Sequence, residues 1–251
     1  MSGNAREVAD VARLLAERRP KSGVFIVGVT GSVACGKTTF AAALADAMRA
    51  LSPPLAVEVV CTDGFLFANA TLEERGLLGR KGFPESYDVC ALATVLARIR
   101  TGPVAAPGYS HRTYDLDRAL ERSIMPPDIL IVEGLSLAAV RKSLDLFIYL
   151  DADEEHVEAW FVARFRGLCD AAKADPRSFY ARFAALQPED ARAMAVAVWR
   201  EINLPNLRAH IAPARGRADL VIRKGADHRI RDVLHPGARL GGDEPRMNGA
   251  R

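Results

Sequence analysis

The chain has 251 residues, 49% of them hydrophobic, which is enough apolar material for the core of one α/β domain. Its formal net charge of +3 is small and dispersed, which argues against a nucleic-acid-binding surface. The four cysteines lie far apart and form no CxxC or Cys/His cluster, so neither a disulfide framework nor a zinc site is expected. Because the N-terminus is charged and no run of about 18 apolar residues occurs, we expect a soluble, cytoplasmic protein without a membrane partner.

The first predicted element is an amphipathic helix within residues 1–20, where apolar residues recur at helical spacing. Short runs rich in β-branched residues follow, and helical patterns separate them. The runs are continuous rather than alternating, which is typical of strands covered on both faces. The predicted fold is therefore α/β, an open, mainly parallel sheet of about five strands with helices on both faces and a helical lid. The predicted strands lie at residues 24–29, 57–62, 129–132, 146–150 and 220–222.

The domain organisation predicted from these patterns is simple. Residues 21–235 carry the alternating strands and helices and are expected to form a single domain that follows the N-terminal helix. The last stretch, residues 236–251, has no apolar pattern and is predicted to be disordered.

A phosphate-binding loop is predicted between the first strand and the next helix, in the segment GVTGSVACGKTTF. Two glycines, a lysine and a threonine fit the spacing GxxxxGK[ST] in the strand-to-helix context that this motif requires. The glycines let backbone N–H groups turn towards phosphate oxygens, with the positive end of the helix behind them. Lys37 would reach the β- and γ-phosphates, and the Thr38 hydroxyl would hold Mg²⁺. The predicted nucleotide-binding residues are Gly31, Ser32, Val33, Ala34, Cys35, Gly36, Lys37, Thr38 and Thr39.

The absence of a guanine-reading motif and the positions of two acidic residues narrow the class of nucleotide-binding protein. No asparagine is followed by lysine, so the guanine-reading NKxD tetrad is absent and a GTPase is not expected. Asp63 and Glu133 each follow a predicted strand, at the edge where open α/β sheets bind their ligands. Glu133 resembles a Walker-B carboxylate, which would make Thr38 and Glu133 the metal site, whereas Asp63 is placed to accept a proton from an acceptor hydroxyl. Each carboxylate could instead only cap its loop.

Two polar residues on predicted helices leave alternatives open. Arg164 lies on an apolar stripe in EEHVEAWFVARF, so it either reaches over the phosphates and stabilises transferring charge or extends to water at the end of the stripe. Asn203 shares an apolar helix face just before Pro205, which opens the helical backbone. Its amide could contact a ligand or satisfy the freed carbonyl of the helix.

Several longer strings stand in order along the chain, namely TDGFL, RGLLGRKGFPESYD, APGYSHRTYD, PDILIVEGL, WREIN and RADLVIRK. They resemble the bacterial type I pantothenate kinases over residues 24–235. The resemblance implies an ATP- and Mg²⁺-dependent phosphotransferase of P-loop kinase fold that phosphorylates the 4′-hydroxyl of pantothenate, the first step towards coenzyme A, as a homodimer. It implies catalytic roles for Lys37, Asp63 and Arg164. It also implies a pantothenate pocket lined by Asp63, Tyr109, His111, Tyr114, Phe161 and Asn203.

The chain departs from this family at several positions. Phe161 stands where the family usually has tyrosine, so one hydroxyl that could contact the acceptor is absent. Ala42 replaces a common arginine, which puts inhibition by coenzyme A in doubt, and the segment between Glu133 and Asp145 is short. These departures favour an alternative, a related kinase that phosphorylates a nucleoside, a sugar acid or a specialised metabolite. A non-catalytic nucleotide-binding regulator is the least favoured reading, because the loop lysine, the loop threonine and Asp63 are all present.

Overall fold

The computed structural model describes residues 4–235, so the predicted disordered tail at 236–251 lies outside the described residues. The strands are β1 (Phe25–Gly31), β2 (Val57–Cys61), β3 (Val104–Ala106), β4 (Tyr109–Ser110), β5 (Asp115–Leu116), β6 (Arg122–Ile124), β7 (Ile129–Glu133), β8 (Leu146–Asp151), β9 (Leu220–Lys224) and β10 (Ile230–Leu234). The helices are α1 (Ala5–Arg18), α2 (Lys37–Arg49), α3 (Asn69–Glu74), α4 (Val89–Arg98), α5 (Glu154–Ala172), α6 (Pro188–Val198) and α7 (Leu204–Asn206). Within this part of the chain, no helix has the length and apolarity needed to cross a membrane.

The central sheet has six strands in the order β10-β9-β8-β1-β7-β2. All of its pairs are parallel except β9 with β10, which confirms the predicted mainly parallel α/β sheet. The sixth strand, β10, was not predicted. It lies at the edge of the sheet, with Arg231 and Asp232 exposed, so its sequence lacks the continuous apolar run of a covered strand.

The core is built on the central strands. Every residue of β1 and of β7 is buried, as expected for strands covered on both faces. Helix α2 packs against β1, β2 and β7, and the predicted N-terminal helix α1 packs on α2 through Val8, Val11 and Leu15. Each such buried aliphatic side chain contributes about 1.5–3 kcal/mol of transfer free energy. The phosphate-loop segment is therefore held between well-packed elements.

The parallel arrangement brings three strand ends to one edge of the sheet. β1 lies beside β7 with Val29 opposite Glu133, and β2 lies on the other side of β7 with Cys61 opposite the same residue. The segments that follow these strands therefore meet at this edge, where open α/β sheets place their ligands.

Candidate active site

The loop between β1 and α2 has the backbone conformation of a phosphate cradle. Gly31 has φ +146° and Gly36 has φ +84°, and a Cβ on Gly31 would lie 2.5 Å from the carbonyl oxygen of Leu150. Glycine is therefore required where the loop leaves the strand. Helix α2 has no side-chain cap at its N-terminus, so its first N–H groups remain available to an anion.

The loop side chains meet Glu133 at the end of β7. The Lys37 ammonium donates a hydrogen bond of 2.8 Å to the Ser32 carbonyl, and the Thr38 hydroxyl donates one of 2.8 Å to Glu133 Oε1. Glu133 is only 2% exposed, and the buried Ser32 hydroxyl has no hydrogen-bond partner in the part of the chain that the structure describes. Hydroxyl and carboxylate oxygens are the ligands that Mg²⁺ prefers, so these residues fit the ion.

Asp63 lies close to this group, in the short turn Thr62–Phe65 that follows β2. The Tyr87 hydroxyl donates to Asp63 Oδ1 at 3.4 Å, which orients the carboxylate. Burial, together with the carboxylates of Asp63 and Glu133, raises the pKa of the Cys61 thiol. Cys61 thus stays neutral between two carboxylates at the floor of the site.

A cavity of about 340 Å³ connects the phosphate loop with the region of α5 and α6, a volume typical of small-molecule sites. The loop contributes Val33, Ala34, Lys37 and Thr38 to its lining. Each residue predicted for the acceptor pocket also lines this cavity, namely Asp63, Tyr109, His111, Tyr114, Phe161 and Asn203. The Tyr109 ring contacts two of the others edge to face, with centroid distances of 5.2 Å to His111 and 6.2 Å to Tyr114. The structure therefore places the predicted acceptor residues around one cavity with four of the nine predicted nucleotide-binding residues, whereas Gly31, Ser32, Cys35, Gly36 and Thr39 do not line it.

Arg164 projects from α5, which forms the helix that its sequence predicts. The side chain is exposed to solvent. It lines the same cavity as the phosphate-loop residues and Tyr114, although it is distant from both in sequence. Burial raises the pKa values of Tyr114 and Tyr180, and the positive charge of Arg164 opposes this rise. The guanidinium thus has access both to water and to a ligand in the cavity.

Asn203 lies in a distorted helical region. Residues Trp199–Asn203 and Leu207–Ile211 form π-helical turns on either side of α7, where Pro205 was expected to open the backbone. The Asn203 amide donates to the Val198 carbonyl at 3.5 Å and also lines the cavity. The amide therefore bonds the Val198 carbonyl rather than that of Glu201, which Pro205 leaves without its helical donor, and its place in the lining is compatible with a ligand contact.

Lys81 is a site residue that reasoning from the sequence missed. Its side chain is buried, and Nζ donates to Asn69 Oδ1 at 2.5 Å and to the Tyr114 carbonyl at 2.6 Å. Burial lowers the pKa of Lys81 to about 8, although the carboxylates of Asp115 and Asp63 act in the opposite direction. The only signal was one lysine in the string RGLLGRKGFPESYD, where periodicity carries no information about a pocket.

The departures from the resembled family lie at different distances from the site. Phe161 lines the cavity, whereas Ala42 is exposed on α2 and is not part of the lining. The short segment after Glu133 includes 3₁₀-helical structure over Ser136–Ser143, with a kink at Val140. Phe161 and the first residues of that segment, Gly134 and Leu135, therefore line the cavity, whereas Ala42 lies outside its lining.

Comparison with known proteins decides the family. The model of the phosphoribulokinase/uridine kinase family matches residues 26–165, more than half of the chain. The chain belongs to the phosphoribulokinase/uridine kinase family. Its similar relatives include a pantothenate kinase from Leifsonia xyli subsp. xyli, 42% identical over 243 residues and covering 92% of this chain and 76% of the relative. A pantothenate kinase from Rhodopseudomonas palustris (strain TIE-1) is 46% identical over 224 residues, with 83% and 70% covered.

Solved structures agree with membership of the phosphoribulokinase/uridine kinase family. A putative fructose transport system kinase from Silicibacter sp. TM1040 superposes with a TM-score of 0.66 at 26% identity, covering 80% of this chain and 92% of the other. Phosphoribulokinase from Rhodobacter spheroides gives a TM-score of 0.50 at 16% identity, with 80% and 70% covered, and supports the fold alone.

Proposed function

We propose that this protein is an ATP- and Mg²⁺-dependent pantothenate kinase that transfers the γ-phosphoryl group of ATP to the 4′-hydroxyl of pantothenate. The observation that carries the proposal is that one cavity joins Lys37, the Thr38–Glu133 pair and Asp63 to the aromatic acceptor pocket. Sequence identity of 42–46% to pantothenate kinases supports the choice of acceptor.

On the donor side, the free N–H groups at the start of α2 and the Lys37 ammonium bind the phosphates. Thr38 and Glu133 would hold Mg²⁺, directly or through water, and the ion supplies neutralisation of phosphate charge when it is bound. The Lys37 ammonium, which is hydrogen-bonded to the Ser32 carbonyl, must turn from that carbonyl to the β- and γ-phosphates. Arg164, which also lines the cavity, adds positive charge to it.

On the acceptor side, the hydroxyl oxygen forms a bond to the γ-phosphorus while the bond to the bridging oxygen breaks and ADP leaves. Asp63 accepts the hydroxyl proton, and the Tyr87 hydroxyl keeps its carboxylate oriented. Tyr109, His111, Tyr114 and Asn203 position the acceptor. The Lys81 ammonium lies over both tyrosine rings, with its nitrogen 5.1 Å from the Tyr109 centroid and 4.5 Å from that of Tyr114, and adds positive charge to the pocket.

A second candidate is a related kinase that acts on another hydroxylated small molecule. Phe161 favours it, because a cavity-lining hydroxyl expected from the resemblance is absent and polar contacts discriminate strongly between acceptors. An ADP-release assay against pantothenate, nucleosides and sugar acids separates the two. Saturable turnover of pantothenate with a KM of about 1 μM to 1 mM supports the first proposal, and turnover of another acceptor alone supports the second.

We also propose a homodimer in the cytoplasm. The support for the dimer is the family resemblance, and the support for the location is the set of four unpaired cysteines, all of them free thiols in residues 4–235. Light scattering on the purified protein tests the oligomeric state, and a mass of about one chain would refute the dimer.

A further inference from the structure

Lys224 contacts the phosphate loop from behind. It is the last residue of β9, its side chain is 8% exposed, and Nζ donates a hydrogen bond of 2.7 Å to the Cys35 carbonyl. A Cβ placed on Gly36 would lie 3.0 Å from the same nitrogen. Lys224 does not line the cavity, so whatever it does for a ligand must act through the loop.

The surroundings of this ammonium do not neutralise it. Among residues 4–235, no carboxylate forms an ion pair with Lys224, and its other close partner is the Trp160 ring, 5.8 Å from Nζ to the centroid. Trp160 is fixed by a 2.9 Å hydrogen bond to the Ala226 carbonyl and by a stacked His228 ring at 3.8 Å. Burial lowers the pKa of Lys224, as expected for an ammonium that has lost most of its water.

Burying a cation without an anion is unfavourable, so the arrangement needs a compensating partner. Three sources of positive charge surround the same loop, namely the uncapped N-terminus of α2, the Lys37 ammonium and the buried Lys224 ammonium. Their repulsion is relieved when a polyanion enters the loop from the cavity side.

We propose that Lys224 is a positioning residue for the nucleotide, which holds the Cys35 carbonyl on the rear side of the loop and supplies positive charge beneath the bound phosphates. This inference rests on the proposed ATP-binding function. It assigns to β9, distant in sequence from the loop, a part in donor affinity that acts through the Cys35 carbonyl of the loop.

The test compares ADP binding by calorimetry and steady-state kinetics for the wild-type protein, K224M, K224R and K142M. Lys142 is exposed and is the matched control. Removal of the Lys224 charge should weaken ADP binding roughly 10- to 30-fold and raise the KM for ATP similarly, while the KM for the acceptor stays within about twofold. K224R should recover most of the affinity, K142M should behave as wild type, and the melting temperature of nucleotide-free K224M should not fall.

Each other outcome has a defined meaning. If the wild-type protein does not bind ADP, the proposed function itself fails. If the wild-type protein binds ADP and K224M binds it within twofold of wild type, Lys224 has no part in donor binding. If nucleotide-free K224M melts at a lower temperature than wild type, the role of Lys224 is only structural and the inference is wrong. The same holds if K224M raises the KM for ATP and the KM for the acceptor alike and K224R does not restore them.

Discussion

Lys81 provides a prediction whose size follows from the structure. Burial lowers its pKa to about 8, so the ammonium is roughly nine-tenths charged at pH 7 and roughly one-tenth charged at pH 9. If this charge helps to hold acceptor and phosphoryl group, kcat/KM for the acceptor should fall about tenfold between pH 7 and pH 9. The nearby tyrosines do not interfere, because burial raises the pKa values of Tyr87, Tyr109 and Tyr114.

The free energy of unfolding should change with pH in the opposite direction to activity. The unfolded chain keeps the Lys81 proton up to the ordinary lysine pKa of 10.5, whereas the folded chain releases it near pH 8. Between these values the unfolded state binds more protons, so this residue makes the free energy of unfolding rise with pH. Activity should therefore fall in a range where Lys81 does not destabilise the fold, which separates loss of charge from unfolding.

The assay measures ADP formation directly by chromatography between pH 6.5 and 9.5, which avoids the pH dependence of coupling enzymes. K81R keeps its charge over this whole range and should lose the alkaline fall, while K81M should be uniformly slow. Wild-type activity that stays constant from pH 7 to pH 9, or an identical fall in K81R, would refute the assignment of the titrating group to Lys81.

Three further substitutions test the rest of the site. D63N should lower kcat about 10²- to 10⁴-fold with unchanged ADP affinity, and near-normal turnover would remove Asp63 as the proton acceptor. K37A should lower kcat/KM for ATP at least about 10²-fold with an unchanged circular dichroism spectrum, and retained activity would contradict its phosphate contact. G134A should reduce the free energy of unfolding by about 1–3 kcal/mol in urea titrations, because Gly134 has φ +148° and the new Cβ would lie 1.7 Å from Thr62 Oγ1. T62A should restore part of this loss, and full additivity of the two changes would contradict the steric explanation.

The sheet was predictable because its strands are buried on both faces. Continuous β-branched runs identify β1, β2, β7, β8 and β9 without reference to any partner. β10 was missed because it lies at the edge of the sheet and only Ile230 is buried, and its adjacent Arg231 and Asp232 are typical of a loop as much as of a strand. The two small two-stranded sheets, β3 with β6 and β4 with β5, have only two or three residues in each strand, which is too short to give a periodic signal.

The residues of the site also differ in whether a local sequence pattern could predict them. The donor half depends on backbone geometry within one contiguous loop, so its residue spacing alone indicates phosphate binding. Glu133 and Asp63 could be added because parallel strands necessarily end at a common edge. The contact of Lys224 with the loop could not be predicted, since it depends on the lateral position of β9 relative to β8 and β1, which no local pattern encodes.

The acceptor half is assembled from segments that are far apart in sequence, so its specificity depends on packing. Tyr109 and Tyr114 come from a hairpin, Lys81 from the turn before α4, and Phe161 from α5. Phe161 lies between other aromatic rings, with centroids 5.9 Å from Trp199 and 6.3 Å from Phe165, so the wall around it is apolar. A wall of this kind discriminates weakly against acceptors that differ by a methylene group, whereas a hydroxyl in its place would reject acceptors that leave it unpaired. F161Y should therefore change the ratio of kcat/KM values between acceptors more than it changes the KM for ATP, and an equal effect on both would place the determinant of acceptor choice elsewhere in the cavity.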